Sequence, residues 1–333
     1  MKVRLRSYCF LVLCFALGEV AGQDMQFSQP YSNPLYLNPA FTGTAEATRV
    51  VLNYRKQWPG IEHEYNAYAA STDLYVKHLN AGVGVSVVKD VAGANNLSNT
   101  QASVYYSQHL KISRKSNLAL GVKGSFGQRA FNDGNLLFAD QIIRESSTSL
   151  SQQMGVTPAV AYADFSAGIL YFNTKAWLGV SLHRINEPNQ SLMGGVDVIP
   201  RKLSIHGGSI IPIEDFEKSH GEKKLRVAFN YKEQGEWNQL DLGAYYTYRN
   251  VNYGMWYRGL PMKTYRPGVA NNESIIFLLG YEAPKRFSFG YSYEISINRL
   301  FGYSGGAHEI SLIMEFQNRK KKSRPRVVPC ARF

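Results

Sequence analysis

The stretch Phe287-Ser288-Phe289-Gly290-Tyr291-Ser292-Tyr293-Glu294-Ile295-Ser296 alternates without a break between a large apolar or aromatic residue and a small or polar one. A period of two places the two sets on opposite faces of a β-strand. The same alternation recurs at Ile310, Leu312, Met314 and Phe316, at Leu225, Val227, Phe229 and Tyr231, and at Leu240, Leu242, Ala244, Tyr246 and Tyr248. In these segments the second face carries charged residues among small ones, including Lys224, Arg226, Asp241, Glu309 and Glu315. In a soluble sandwich the apolar face would be the core. A charged opposite face instead suits a wet lumen, with the apolar face in lipid, which is the pattern of an outer-membrane barrel.

The rest of the chain agrees. Of 333 residues, 44% are apolar and 19% charged, against roughly 25% charged in an average soluble domain, which excludes a disordered chain. Beyond the N-terminus no apolar run approaches the roughly 18 to 20 residues of a membrane helix, so the chain is either secreted or crosses a membrane as strands. Abundant Tyr (22), Phe (17) and Gly (29) favour strands. Alternation predicts fourteen of them: 45–57, 63–76, 81–90, 98–112, 117–131, 162–172, 175–185, 202–212, 223–232, 238–249, 251–260, 274–282, 286–298 and 307–317. The expected fold is therefore all-β, a transmembrane antiparallel β-barrel of about fourteen strands over residues 45–317. An even count is the rule for single-chain bacterial barrels, with short periplasmic turns and longer external loops. If the first strand starts at the periplasm, the long connections 132–161, 186–201, 261–273 and 299–306 all fall on the external side, and 213–222 is somewhat long for a turn.

Flanking segments are distinct. Lys2, Arg4 and Arg6, the apolar run Tyr8 to Leu17 and the small residues Val20-Ala21-Gly22 read as a signal peptide, residues 1–22, removed before Gln23. Cys9 and Cys14 leave with it. The remaining Cys330 excludes an internal disulfide framework and an all-cysteine metal site. Residues 23–44 contain Phe27 to Gly43, FSQPYSNPLYLNPAFTG, with Asn-Pro steps at Asn33-Pro34 and Asn38-Pro39. Pro blocks helix and ladder alike, and each Asn can close a local turn with its side chain. Free linkers seldom carry so many aromatic and aliphatic residues, so this segment reads as an ordered plug or strap at or inside the periplasmic mouth, with Phe27, Gln29, Asn33, Pro34, Asn38 and Pro39 as its motif. Trp58-Pro59-Gly60 reads as an interfacial Trp and a turn at the external rim.

The formal net charge of +12 is not spread evenly. The signal segment holds +2 and the tail 318–333 holds +7, which leaves +3 for Gln23 to Gln317. The tail carries Arg319, Lys320, Lys321, Lys322, Arg324, Arg326 and Arg332 without an acid, and ends in Val327, Val328, Pro329, Cys330 and Phe333. With an even strand count it lies with the N-terminus in the periplasm, and the basic run with its apolar end reads as a docking element for an acidic periplasmic partner. Chemistry-bearing patterns are otherwise poor. The seven His residues are scattered rather than spaced as ligands, no Ser-His-Asp set stands out, and His63, His183 and His308 read as loop-end residues near the outer rim. Gly82-Val83-Gly84-Val85 lies inside a strand and is not a phosphate loop. No enzyme, metal, cofactor or nucleic-acid role is expected.

Four features resemble the PorP/SprF outer-membrane proteins of type IX secretion and gliding in Bacteroidetes. They are QDMQFSQPYSNPLYLNPAFTG after the signal, Arg55-Lys56-Gln57-Trp58-Pro59-Gly60 at the end of the first strand, His308-Glu309-Ile310-Ser311-Leu312 in the last, and the tail Pro329-Cys330-Ala331-Arg332-Phe333, where Ala331 departs from the family's Cys-Pro. The resemblance implies a non-enzymatic barrel that works with a periplasmic lipoprotein ring and peptidoglycan-linked subunits, or supports export and surface anchoring of a large adhesin. The alternative is an uptake channel for small hydrophobic compounds, similar to the FadL type in strand number and in Asn38-Pro39-Ala40. The roughly twenty residues before the first strand are short for that type's hatch.

Overall fold

The computed structural model describes residues 24–45, 47–62, 64–93, 97–131, 159–213, 223–266, 269–283, 287–298 and 300–316. The signal segment, the basic tail with all its candidate docking residues (Arg319 to Phe333), His63, His220 and most of the 132–161 connection lie outside the described residues.

Fourteen strands are present: β1 (Thr48–Gln57), β2 (Tyr65–Val76), β3 (Ala81–Ala92), β4 (Leu97–Lys111), β5 (Ser116–Ala130), β6 (Ala159–Asn173), β7 (Ala176–His183), β8 (Lys202–Pro212), β9 (Lys223–Gln234), β10 (Trp237–Tyr248), β11 (Val251–Arg266), β12 (Val269–Glu282), β13 (Phe287–Ser296) and β14 (Ala307–Phe316). Each pairs antiparallel with its sequence neighbours, and β1 closes on β14 from Thr48 opposite Phe316 to Gln57 opposite Ala307. Closure leaves no unpaired edge, a requirement for any sheet in hydrocarbon, where an unsatisfied peptide group costs several kcal/mol.

The alternating faces separate as lipid and lumen. Val104, Phe126, Leu279 and Phe289 face outward, Val104 with 63% of its surface free, whereas Ser288, Ser292, Glu294, Glu309 and Ser311 are buried inside. The lumen, expected to be wet, is in large part a packed core. Phe172, Trp177, Tyr245, Trp256 and Ile276 also point inward, and with Tyr31, Leu37, Ala40 and Phe41 of the N-terminal segment they form one apolar cluster. A period-two reading sorts residues by face, and these five occupy the inner face because something apolar is there to meet them.

A second difference concerns 261–273, expected as a long loop. It belongs to a hairpin in which β11 runs to Arg266 and β12 starts at Val269. Its ladder carries register shifts after Arg258 and after Leu260, and Gly259 there has φ +145°. Such irregularities break strict alternation while keeping the strands paired, which is why the sequence pattern stops short. The connections still differ by rim. The rim holding Phe316 has mostly turns of two to four residues, and the opposite rim has the longer loops 58–64, 131–158, 184–201 and 297–306.

Candidate functional site: the plug and its seat

Residues 24–45 run through the lumen from the long-loop rim to the short-turn rim. Asp24 is held by Arg184, Lys202 and Gln234, at the long-loop ends of β7, β8 and β9. Midway, the Tyr31 hydroxyl donates to the carbonyls of Gly207 (3.0 Å) and Phe229 (2.9 Å). At the other end Gly43 N–H donates to Asp73 (2.7 Å), and the Thr42 carbonyl meets His109 Nε2 (2.8 Å). The segment is thus a full-depth plug and not a cap on one mouth. Asp24 and Phe316 lie at opposite rims, whereas Thr44, which leads toward β1, lies at the rim of Phe316.

Proline sets the plug's local shape. Pro30, Pro34 and Pro39 each open a single turn, two of 3₁₀ type (Pro30–Ser32 and Pro39–Phe41) around one α-type turn (Pro34–Leu37). Pro suits the first position of a turn, where its missing N–H has no partner to lose. The two Asn residues differ. Asn38 accepts from Ala40 N–H (2.8 Å) and caps its turn, whereas the Asn33 side chain makes no cap bond. Asn38 also donates to the carbonyls of Ile169 and Val180 (both 3.2 Å), joining β6 and β7 to the plug.

Two contact sets hold it. The first is charged. Arg55 and Arg258, both fully buried, flank Glu294: Arg55 lies 2.8 Å and Arg258 3.1 Å from its Oε2. Arg258 also donates to Asp241 (3.0 Å) and to the carbonyl of Phe27 (2.9 Å). Ser28 completes the link to the plug, receiving a bond from Arg55, donating its hydroxyl to Glu294 (2.8 Å) and its N–H to Glu309 (2.5 Å). Charges buried at this depth are tolerable only when paired and hydrogen-bonded, and here the plug backbone supplies part of the pairing. A parallel pair, Arg49 with Asp73 (2.8 Å), clamps the other end through Gly43 and the Phe41 carbonyl.

The second set is steric. A Cβ on Gly82 would stand 2.0 Å from the Thr42 carbonyl oxygen, and one on Gly121 would stand 2.3 Å from Ala40 N. Gly168 and Gly179 abut Asn38 and His206 in the same way. Four inward positions on β3, β5, β6 and β7 are therefore bare: Gly82 and Gly121 let plug backbone lie directly on the strands, and Gly168 and Gly179 make room for the side chains of Asn38 and His206, the close approach that strand glycines permit. Three histidines complete the seat. His109 and His183 bond plug carbonyls, and His206 stacks against Phe41. His183 is therefore a buried plug contact and not the exposed loop-end residue expected from sequence.

Of the sequence motif, Phe27, Gln29, Asn33, Pro34, Asn38 and Pro39 are all buried in the lumen, and Gln29 makes no side-chain hydrogen bond. Trp58, Pro59 and Gly60 lie apart from this site on the long-loop rim, where Trp58 N–H and Gly60 N–H donate to the carbonyls of Gly306 (2.7 Å) and Ser304 (3.0 Å). Above the plug on that rim is a cavity of about 350 Å³, with Asp24, Gln26, Lys202, Lys232, Asn271 and Glu273 among its lining. Among the described residues no His, Cys, Asp and Glu group is arranged to hold a metal ion.

Asp24 gives the long-loop end of the plug a pH dependence. Burial alone raises its carboxyl, but Arg184 and Lys202 outweigh that and hold it well below the ordinary carboxylate range. A depressed folded value means that the stabilisation is present above the unfolded value of about 4 and fades only as pH falls through the folded one. Amide exchange at residues 24–27, corrected for intrinsic rates, is expected to stay equally protected from pH 5 to 8. The Asp24→Asn variant should exchange faster there at pH 7.

A closed meander with an apolar outer face and an occupied polar lumen defines a transmembrane β-barrel with an internal plug. Residues 19–314 match the family described as type IX secretion system membrane protein PorP/SprF, and the chain belongs to that family, which places it among outer-membrane barrels. No curated protein matches the chain. Among solved structures it is similar to the Pseudomonas putida toluene transporter TodX (10% identity, 85% of this chain and 93% of that one, TM-score 0.47). It is also similar to the CymD monoaromatic hydrocarbon channel (12%, 86% and 93%, TM-score 0.46) and to a Pseudomonas aeruginosa FadL homologue (12%, 84% and 94%, TM-score 0.42).

Proposed function

We propose that this chain is a non-enzymatic scaffold barrel of the type IX secretion and gliding machinery, with its short-turn rim and basic tail in the periplasm. There it docks the lipoprotein ring or peptidoglycan-linked subunits, and it supports export and surface anchoring of a large adhesin. Family membership supports the machinery, and the observation that carries the scaffold role is the plug. Its backbone is bonded to the wall at Asp24, Phe27 and Ser28 and again from Leu37 to Gly43, the Tyr31 hydroxyl holds its middle, and it shares the buried charge network, so the lumen is built as a filled core rather than a conduit. The long-loop cavity is what favours the second reading, an uptake channel of FadL type. Its lining mixes Met25, Phe27, Tyr36, Leu37 and Trp237 with Asp24, Lys202, Lys232 and Glu273, so any compound bound there would meet charge as well as apolar surface.

The purified mature barrel is expected to be electrically silent in a planar bilayer and to retain the periplasmic ring or peptidoglycan-linked subunits in a detergent pull-down. Steady conductance of small solutes together with no capture of those subunits would overturn the scaffold reading in favour of the channel.

A further inference from the structure

The near-balance of charge in the barrel conceals a separation along its axis. The six connections on the rim that carries Phe316 hold eight Lys or Arg against four Asp or Glu, whereas the seven on the long-loop rim hold four against eight. All four acids of the first set fall in the single connection 213–222. The turns joining β2 to β3, β4 to β5 and β6 to β7 contain no acid and follow one another around the wall, contributing Lys77, Arg114, Lys115 and Lys175, with Lys111 at the adjoining strand end. These five side chains are exposed, and none forms an ion pair with another described residue. Five uncompensated cations on one arc repel each other and are retained at a cost unless something anionic faces them.

From this we propose that the arc of short turns from β2 to β7 is a folded docking face for an acidic protein surface, acting beside the basic tail that leaves β14 on the same rim. This rests on the scaffold reading and assigns it a surface. The occupant follows from placement. These five cations sit at or beside the turns of consecutive hairpins over less than half of the barrel, the densest basic stretch of a rim whose two other acid-free turns carry Arg249, Lys285 and Arg286. A headgroup-binding girdle would be evenly spaced, whereas here the acidic 213–222 connection separates these five from the sparser Arg249, Lys285 and Arg286. Complementary charge at a rim of this kind raises the association rate and weakens with salt.

The test uses the full mature chain with Lys77, Arg114, Lys115 and Lys175 all changed to Glu, and the tail intact. The probes are the purified ring lipoprotein and peptidoglycan-linked subunits of the same machinery. The expected result is a loss of at least about tenfold in affinity for one of them at low salt, a much flatter salt dependence, and unchanged heat-shifted migration of the barrel. Reversal of Glu62 and Glu64 on the other rim should change nothing. If wild type binds a subunit and the four-fold variant binds it equally well, the docking face is wrong while the scaffold reading stands. If wild type binds no subunit, the scaffold reading fails first. If the variant instead loses only its retention of phosphatidylglycerol in mixed nanodiscs, the face belongs to lipid and the proposal is overturned.

Discussion

Replacing Arg258 by alanine is expected to destabilise the folded barrel by about 3–5 kcal/mol, the range for breaking one side of a buried ion pair. The guanidinium is wholly buried and is shared between Asp241, Glu294 and the Phe27 carbonyl. Its removal leaves two carboxylates facing each other's field in the lumen and frees the plug backbone at Phe27. Lost volume alone would also destabilise, so the informative comparison is with Arg258→Met, which keeps the stem but not the charge. Both variants should unfold at clearly lower urea concentration, and both should expose residues 24–32 to protease. Adding Asp241→Asn to Arg258→Met should recover part of the loss, since it removes one of the two carboxylates that lose Arg258 while Glu294 keeps Arg55. If Arg258→Met is as stable as wild type, the network does not hold the plug.

That network also shows where the sequence can be read and where it cannot. Alternation, strict over Phe287 to Ser296 and looser in other strands, exposes the strands, because lipid on one side and a different environment on the other impose a period of two. It also puts Glu294 and Glu309 on the inner face. Their partner Arg55 is more than two hundred residues away and becomes adjacent only when β1 closes on β14, a fact of register. The seat glycines are hidden for the same reason. Gly121 and Gly168 look like ordinary small residues on a strand until Ala40 and Asn38 are laid against them. The aromatic density from Phe27 to Phe41 announces burial, but not that the segment spans the lumen or that Trp177, Trp256 and Tyr245 turn inward to meet it. The rim charges are lost in the composition because opposite signs at the two ends cancel.

Filling the seat should open the barrel. In Gly82→Val with Gly121→Val, the new side chains begin at positions 2.0 Å and 2.3 Å from plug backbone, and backbone cannot yield as a flexible side chain would. The strands themselves have no reason to object, since Val is the better strand former at both places. The strain therefore falls on Pro39 to Thr42, and because residues 45–47 tie the plug to β1 it can leave only by swinging out toward the short-turn rim. The expected result is a folded barrel that conducts in a planar bilayer as well as a chain lacking residues 24–41, with the plug open to protease. Gly124→Val is the control, for its Cβ would meet only ordinary contacts at 3.9 Å from Phe165 and Val104, on the lipid face, and it should stay silent. A silent double variant with a protected plug would mean that the glycines do not form the seat. A conducting double variant that still captures the periplasmic subunits would separate the two roles, because docking then belongs to the rim and the plug serves to keep the lumen closed.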